Sequence, residues 1–332
     1  LHRQRRLIAH LTDATEAAQQ TAHSWQEAWE AVEPHLRKAG SVAIDTRHRS
    51  LSSIIDEAIE AETSPQPDGV VSCGLPGWDQ VAGRFCAGEV TALAARPGNG
   101  KTALALMAAD AAVRLGKAAF FASLEMQSSR LLRRMAVQRT GRAGLIRRGM
   151  HSDHIAAAKA ERVKALGSMR PLEKLLSIGE VADCRTIDAI ESRARLLAGG
   201  SVPLGLLVID YLQLVWPSAD TRRASREQQV AEVSRRIKLL ALELDVPVLL
   251  LSQLNRESEK EQRRPRLSDL RESGAIEQDA DRVWFLYPET SDSAPEDAET
   301  VTVVIEQAKA RNGQPGIAKR LNFIRPCVLF TE

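Results

Sequence analysis

The stretch Val90-Thr91-Ala92-Leu93-Ala94-Ala95-Arg96-Pro97-Gly98-Asn99-Gly100-Lys101-Thr102-Ala103-Leu104-Ala105-Leu106-Met107 decides the fold. It reads as an apolar strand, a glycine-rich turn and the start of a helix. Such a turn presents backbone N–H groups to phosphate oxygens at the positive end of a helix dipole. Arg96, Pro97, Gly98, Asn99, Gly100 and Ala103 are expected to line the phosphates. Lys101 can reach the β- and γ-phosphates, and Thr102 can offer its hydroxyl to Mg²⁺. The sequence thus predicts a bound nucleoside triphosphate, ATP with Mg²⁺. Ala95 stands where the P-loop pattern has Gly, and Ala fits there if φ stays negative. The Gly-Lys-Thr ending, flanked by strand and helix, argues against an ordinary βα turn.

Outward from this stretch, short apolar runs alternate with helical ones after residue 70. That pattern predicts βαβ units and a mostly parallel sheet, an α/β class. The expected strands are Val90–Ala94, Ala118–Ala122, Leu204–Ile209, Val246–Leu251, Arg282–Leu286 and Thr300–Ile305, and the tail from Ala318 to Phe330 adds one or two antiparallel strands. The expected helices are Thr102–Leu115, Arg130–Gln138, His154–Ala165, Cys184–Leu197 and Glu227–Leu244.

Before residue 70 the chain reads as helix. Leu7, Ile8, Leu11 and Ala14, then Trp25, Ala28, Trp29, Val32 and Leu36, recur at helical spacing, with a turn near Thr21 to Ser24. Leu51, Ile54, Ile55, Ala58 and Ile59 form one face of a further short helix, which Ser50 can cap. The run Glu62-Thr63-Ser64-Pro65-Gln66-Pro67-Asp68-Gly69 has the composition of a linker. The expected domains are a helical hairpin at 1–48, a linker helix and linker at 49–69, and an ATPase domain at 70–332.

Composition sets bounds. With 332 residues, 44 % hydrophobic and 27 % charged, the chain has room for one large domain and a smaller element. The net charge of +2 does not announce a nucleic-acid binder, so any such role depends on local patches. Cys73, Cys86, Cys184 and Cys327 are far apart and form no Cys-x-x-Cys pair. That spacing suggests neither a zinc site nor a disulfide framework and predicts reduced thiols in a cytoplasmic protein. No apolar run is long enough to span a membrane, and no signal-peptide pattern is present. The start at Leu1, without Met, reads as a piece of a longer chain.

Further residues can serve hydrolysis. Leu206-Leu207-Val208-Ile209-Asp210 is a buried strand ending in an acid that can contact Mg²⁺; by itself it is also compatible with an Asp capping a core strand. Phe120-Phe121-Ala122-Ser123-Leu124-Glu125 carries Glu125 to the C-terminal edge of the sheet if its strand lies beside the P-loop strand. A carboxylate there can orient and deprotonate the attacking water; the alternative is a solvated helix-start Glu. Gln253, after Val246–Leu251, can sense a γ-phosphate or simply leave the sheet. Lys309 and Arg311, spaced i and i+2 in an extended segment, point the same way and can reach a neighbouring subunit's phosphates. As a lone motif they also fit a basic surface turn.

Taken together, the segments Ala95–Thr102, Ser123-Leu124-Glu125-Met126, Ile209-Asp210-Tyr211-Leu212-Gln213-Leu214, Ser252-Gln253-Leu254-Asn255-Arg256, Asp269-Leu270-Arg271-Glu272-Ser273-Gly274 and Lys309–Gly313 resemble the motifs of the DnaB-type replicative DNA helicases, in that family's order. Ile276-Glu277-Gln278-Asp279-Ala280-Asp281 continues the match. The resemblance runs from about residue 50 to the C-terminus and more weakly over the helices before it. It implies a RecA-like P-loop fold, a homohexamer around single-stranded DNA moving 5′ to 3′, and ATP at subunit interfaces. It implies Lys101 and Thr102 on phosphate and Mg²⁺, Glu125 as catalytic base, Asp210 as the Mg²⁺-linked acid, Gln253 as coupling residue, and Lys309 and Arg311 acting in trans. DNA contact carries over onto Arg271, Glu272 and Gly274. Arg263, Arg264 and Arg266 just upstream can add sequence-independent, salt-sensitive phosphate contacts. The Arg-rich stretch Arg130, Arg133, Arg134, Arg139, Arg142, Arg147 and Arg148 reads as helix surface or subunit contact.

The helices before residue 70 resemble the end of the family's N-terminal domain and its linker helix. The resemblance leads to the expectation that the family's N-terminal globular part is truncated or absent here, which bears on contacts with a primase; a helicase loader is a further implied partner. A second reading is a RecA- or KaiC-like ATPase that remodels DNA or a protein without unwinding. A third is a non-catalytic nucleotide-gated scaffold. The run Asp269–Gly274 with Lys309-Ala310-Arg311 favours the helicase over the second, and the presence of Lys101, Glu125 and Asp210 argues against the third.

Overall fold

A computed structural model describes residues 51–52, 55–56, 59, 70–141, 160–161, 163–255, 263–270, 274–289 and 298–332. The chain divides into two compact units, Leu1–Pro65 and Gln66–Glu332. In the first, the described residues Leu51, Ser52, Ile55, Asp56 and Ile59 are helical, and Leu51, Ile55 and Ile59 are exposed. The expected helical hairpin at 1–48, and most of the expected helix His154–Ala165, lie outside the described residues.

The second unit is built on a sheet of β1 (Val90–Ala95), β2 (Ala118–Ser123), β3 (Leu176–Gly179), β4 (Leu204–Asp210), β5 (Val248–Gln253), β6 (Arg282–Pro288), β7 (Thr300–Ala310), β8 (Ile317–Ile324) and β9 (Leu329–Thr331). Its order is β3-β2-β4-β5-β1-β6-β7-β8-β9. From β3 to β6 every pairing is parallel, and from β6 to β9 every pairing is antiparallel. The helices are α1 (Pro76–Ala82), α2 (Lys101–Arg114), α3 (Ser128–Thr140), α4 (Val181–Cys184), α5 (Ile187–Ala198), α6 (Arg226–Leu244) and α7 (Gly274–Asp279). No described helix is long and apolar enough to cross a membrane.

Alternation along β1 explains the layers. Leu93 and Ala95 join α2 and α3 in a core on one face, while Val90, Ala92 and Ala94 join α5 and α6 in a core on the other. A parallel strand covered on both faces is buried along its whole length, as all six residues of β1 are, and all but Thr91 are apolar. The Ala-rich sequence of α2 is buried around almost its whole circumference, between the sheet and α3.

Two expectations are corrected. β2 does not lie beside the P-loop strand: it pairs with β3 and β4, so β4 and β5 stand between it and β1. Because all these strands run parallel, Glu125 still emerges at the same edge as the P-loop. β7 does not end at Ile305 but runs to Ala310, which places Lys309 in the strand and Arg311 at the turn after it. β3 was not expected: it has four residues, three of them only half-buried, too short and mixed to show a strand period.

Candidate nucleotide site

The C-terminal ends of β1, β5, β4 and β2 meet at one edge of the sheet, where ligands bind in open α/β folds. Ala95 is level with Gln253, and Ser123 with Asp210. The turn after β1 holds Gly98 at φ 84° and Gly100 at φ 85°, the left-handed region that favours glycine. A Cβ on Gly100 would lie 2.5 Å from the Phe330 ring, which stacks on Phe323 at 4.6 Å between centroids. The C-terminal strands thus press on the turn from below and leave no room for another residue there. Ala95, in extended β1, needs no glycine.

α2 starts at Lys101 directly after this turn. Thr102 Oγ1 donates to Asp210 Oδ2 at 2.8 Å. Asp210 is fully buried, and its Oδ1 has no hydrogen-bond partner among the described residues. Burial pushes its carboxyl up to about 6, against the opposing pull of Lys101 and Thr102. Lys101 Nζ donates to the Ser252 carbonyl at 3.4 Å and sits 4.7 Å from the centre of the Tyr211 ring. Burial lowers its pKa. The side-chain nitrogen of Asn99 is also buried without a hydrogen-bond partner among the described residues.

These observations fit the implied ligands. A buried carboxylate oxygen without a donor, next to a threonine hydroxyl, suits a hard cation such as Mg²⁺. A desolvated lysine held by neutral groups suits a phosphate.

Glu125 is exposed just beyond β2, and the Leu124 N–H donates to the Asp210 carbonyl at 2.8 Å, which ties the two acids' backbones together. Gln253 ends β5; its N–H meets Gln213 Oε1 at 3.5 Å, and Gln213 Nε2 donates to Ser252 Oγ at 3.0 Å. Arg134, on α3, is half-buried within electrostatic reach of Asp210 and Glu125. Burial lowers its pKa while both acids raise it. The sequence placed Arg134 only in an Arg-rich stretch; its signal was a position one helical turn from buried Leu131. Arg142, Arg147 and Arg148 lie outside the described residues.

Lys309 and Arg311 are not part of this edge. Arg282 of β6 is level with both Thr91 and Ala310. The two cations therefore lie at the opposite, N-terminal edge of the parallel strands, four residues or about 13 Å before the end of β1.

Of the expected DNA-contacting residues, Arg271 and Glu272 lie outside the described residues, while Gly274 is the exposed first residue of α7. Arg263 is not free to grip phosphate as expected: it forms a two-nitrogen pair with Asp269, holding that carboxyl below its usual range. Arg264 and Arg266 are exposed.

Residues 70–332 match the DnaB-like helicase C-terminal domain. The replicative DNA helicase DnaB of Geobacillus stearothermophilus is 38 % identical over 259 residues, which are 77 % of this chain and 55 % of that protein. A solved DnaB-like replicative helicase, studied with its interactions with primase, superimposes with TM-score 0.70 at 30 % identity over 97 % of this chain and 76 % of that one. The solved ATPase domain of G40P gives TM-score 0.68 at 31 % identity over 85 % of this chain and 97 % of that one. The chain spans about half the length of the curated relatives first matched, 55 % and 53 %. The mixed sheet and P-loop edge are those of a RecA-like ATPase domain, and the chain belongs to the DnaB-like helicase C-terminal domain family.

Proposed function

We propose that residues 70–332 form the ATP-hydrolysing motor of a replicative DNA helicase, preceded by a linker helix and linker at 49–69 and the end of an N-terminal domain at 1–48. The motor works as a homohexamer around single-stranded DNA, moves 5′ to 3′ and unwinds duplex. The observation that carries this reading is the split of the catalytic set between two edges of one sheet. Lys101, Thr102, Asp210 and Glu125 gather at the C-terminal edge; Lys309 and Arg311 stand about 13 Å away at the other. Within one subunit the cations cannot reach their own nucleotide, so a complete site needs a second copy.

In this reading the turn from Arg96 to Gly100 and the start of α2 hold the triphosphate through backbone N–H groups, with Ala103 next in the helix. Lys101 leaves the Ser252 carbonyl for the phosphates. Thr102 and Asp210 hold Mg²⁺, which when bound neutralises charge on the phosphate oxygens. Glu125 takes the proton of the attacking water. Lys309 and Arg311 of the adjoining subunit stabilise the charge that develops on the transferred group. Gln253 reports the γ-phosphate to the loop that follows it. Arg271, Glu272 and Gly274 hold the DNA backbone without reading sequence. A helicase loader and a primase are the expected protein partners, and the replication fork in the cytoplasm is the expected place.

The test is ATP turnover with and without single-stranded DNA, with solution mass measured in Mg-ATP. DNA-stimulated turnover from a six-fold assembly, followed by unwinding of a forked duplex, is the expected result. Turnover that ignores DNA, from a monomer or dimer, would replace this reading with a RecA- or KaiC-like remodelling ATPase.

A further inference from the structure

The two cations at the end of β7 are not loose side chains. Lys309 Nζ donates to the carbonyl oxygens of Glu277 and, at 2.8 Å, Ala280. Arg311 Nη2 donates to the Gln278 carbonyl at 3.3 Å. Glu277 and Gln278 lie in the last turn of α7, where a helix leaves carbonyls without internal partners and its dipole is negative, and Ala280 follows directly after it. Arg311 is fixed again by Asp281: Nη1 lies 3.1 Å from Oδ1, and the Arg311 backbone N–H donates to the Asp281 carbonyl at 2.8 Å.

Asp281 is built in rather than attached. It is 3 % exposed. Its Oδ2 accepts from the Val90 N–H at 2.8 Å and from Lys238 Nζ at 2.7 Å. Its own N–H donates to the Val90 carbonyl at 2.9 Å. The carboxylate is thus anchored to the first residue of the P-loop strand on one side and grips a half-exposed guanidinium on the other. The Val90 and Lys238 contacts account for the burial of Asp281, whereas its pair with the half-exposed Arg311 contributes only about 0–1 kcal/mol to stability. Its effect is on order: a long side chain loses rotamer freedom when fixed, and here that loss is incurred in folding rather than at the moment of reaction.

We propose that Asp281 is the positioning residue of Arg311, and that Asp281 with the last carbonyls of α7 forms a rigid mount aiming Lys309 and Arg311 at the nucleotide of the adjoining subunit. This rests on the reading above, in which Arg311 acts in trans.

The test compares ATP turnover and binding of a fluorescent ATP analogue in the assembled wild-type chain, Asp281→Asn, Arg311→Ala and the double variant, with thermal unfolding as fold control. Asp281→Asn keeps the shape and removes the charge that grips Arg311 and pairs with Lys238, the second loss being what the unfolding control reads. Its kcat is expected to fall at least about tenfold with nucleotide affinity within about threefold, and to add less than about twofold loss in the Arg311→Ala background. A loss of equal size in both backgrounds, or undiminished turnover in Asp281→Asn while Arg311→Ala is inactive, overturns the mount alone. Undiminished turnover in Arg311→Ala refutes the in-trans reading and the mount with it. Should Asp281→Asn not fold, Asp281→Glu keeps the charge and moves the guanidinium by one methylene; a more than threefold fall in kcat, an order-of-magnitude expectation, supports the mount, and wild-type turnover refutes it.

Discussion

Replacing Asp210 by Asn is expected to stabilise the nucleotide-free fold at pH 8 while removing turnover. The carboxyl is fully buried, and burial raises it from an ordinary 3.8 to about 6. A rise of that size corresponds to about 3 kcal/mol between the two protonation states. The native state binds this proton more tightly than the unfolded chain does. Stability from this group is therefore present below about pH 4, falls as pH rises towards 6, and is lost above that. Asn stays neutral throughout and keeps an oxygen for the Thr102 hydroxyl. Its NH₂ takes the place of an oxygen that has no hydrogen-bond partner among the described residues, so the net gain at pH 8 is about 1–3 kcal/mol. Urea unfolding of both proteins at pH 8 and pH 5 is the assay, and the gap should be smaller at pH 5 by roughly 1–2 kcal/mol. A variant no more stable than wild type at pH 8, or a gap independent of pH, would refute the argument. The same substitution should abolish Mg-ATP hydrolysis, because the carboxylate's ionic form is what the proposed cation site requires.

Three further outcomes are expected. Glu125→Gln should bind nucleotide normally and lose hydrolysis by about a hundredfold or more; ordinary turnover would remove Glu125 from its proposed role. Gly100→Ala forces a φ of 85° on alanine and sets its Cβ 2.5 Å from the Phe330 ring, so it should lower stability by about 1–3 kcal/mol in thermal unfolding and weaken nucleotide binding. Arg271→Ala should weaken single-stranded DNA binding and flatten its salt dependence by about one phosphate contact, while basal turnover is spared; equal loss of both would indicate a folding defect.

The order of strand, turn and helix around Lys101 is legible because consecutive residues carry it: an apolar run, two glycines and a helical period follow one another. The strand cores of β1, β2, β4, β5 and β6 are legible for the same reason, since buried parallel strands read as apolar runs. β3 was hidden by its four residues and partial burial. The neighbour of β2 was hidden because crossover connections let strands far apart in sequence lie side by side.

The sequence by itself determined which residues carry phosphate-binding, acidic and basic chemistry, because those are properties of residue types at short spacing. Only the tertiary structure decided where they stand. Parallel pairing brings Asp210, Gln253 and Ser123 to the P-loop edge, while the antiparallel return of β7 carries Lys309 and Arg311 to the opposite one. The attachment of Arg311 to Asp281, the pairing of Arg263 with Asp269 and the approach of Arg134 to Asp210 are likewise set by packing. A local pattern fixes which way a strand's side chains alternate; which strands become neighbours is fixed by burying both faces of one sheet.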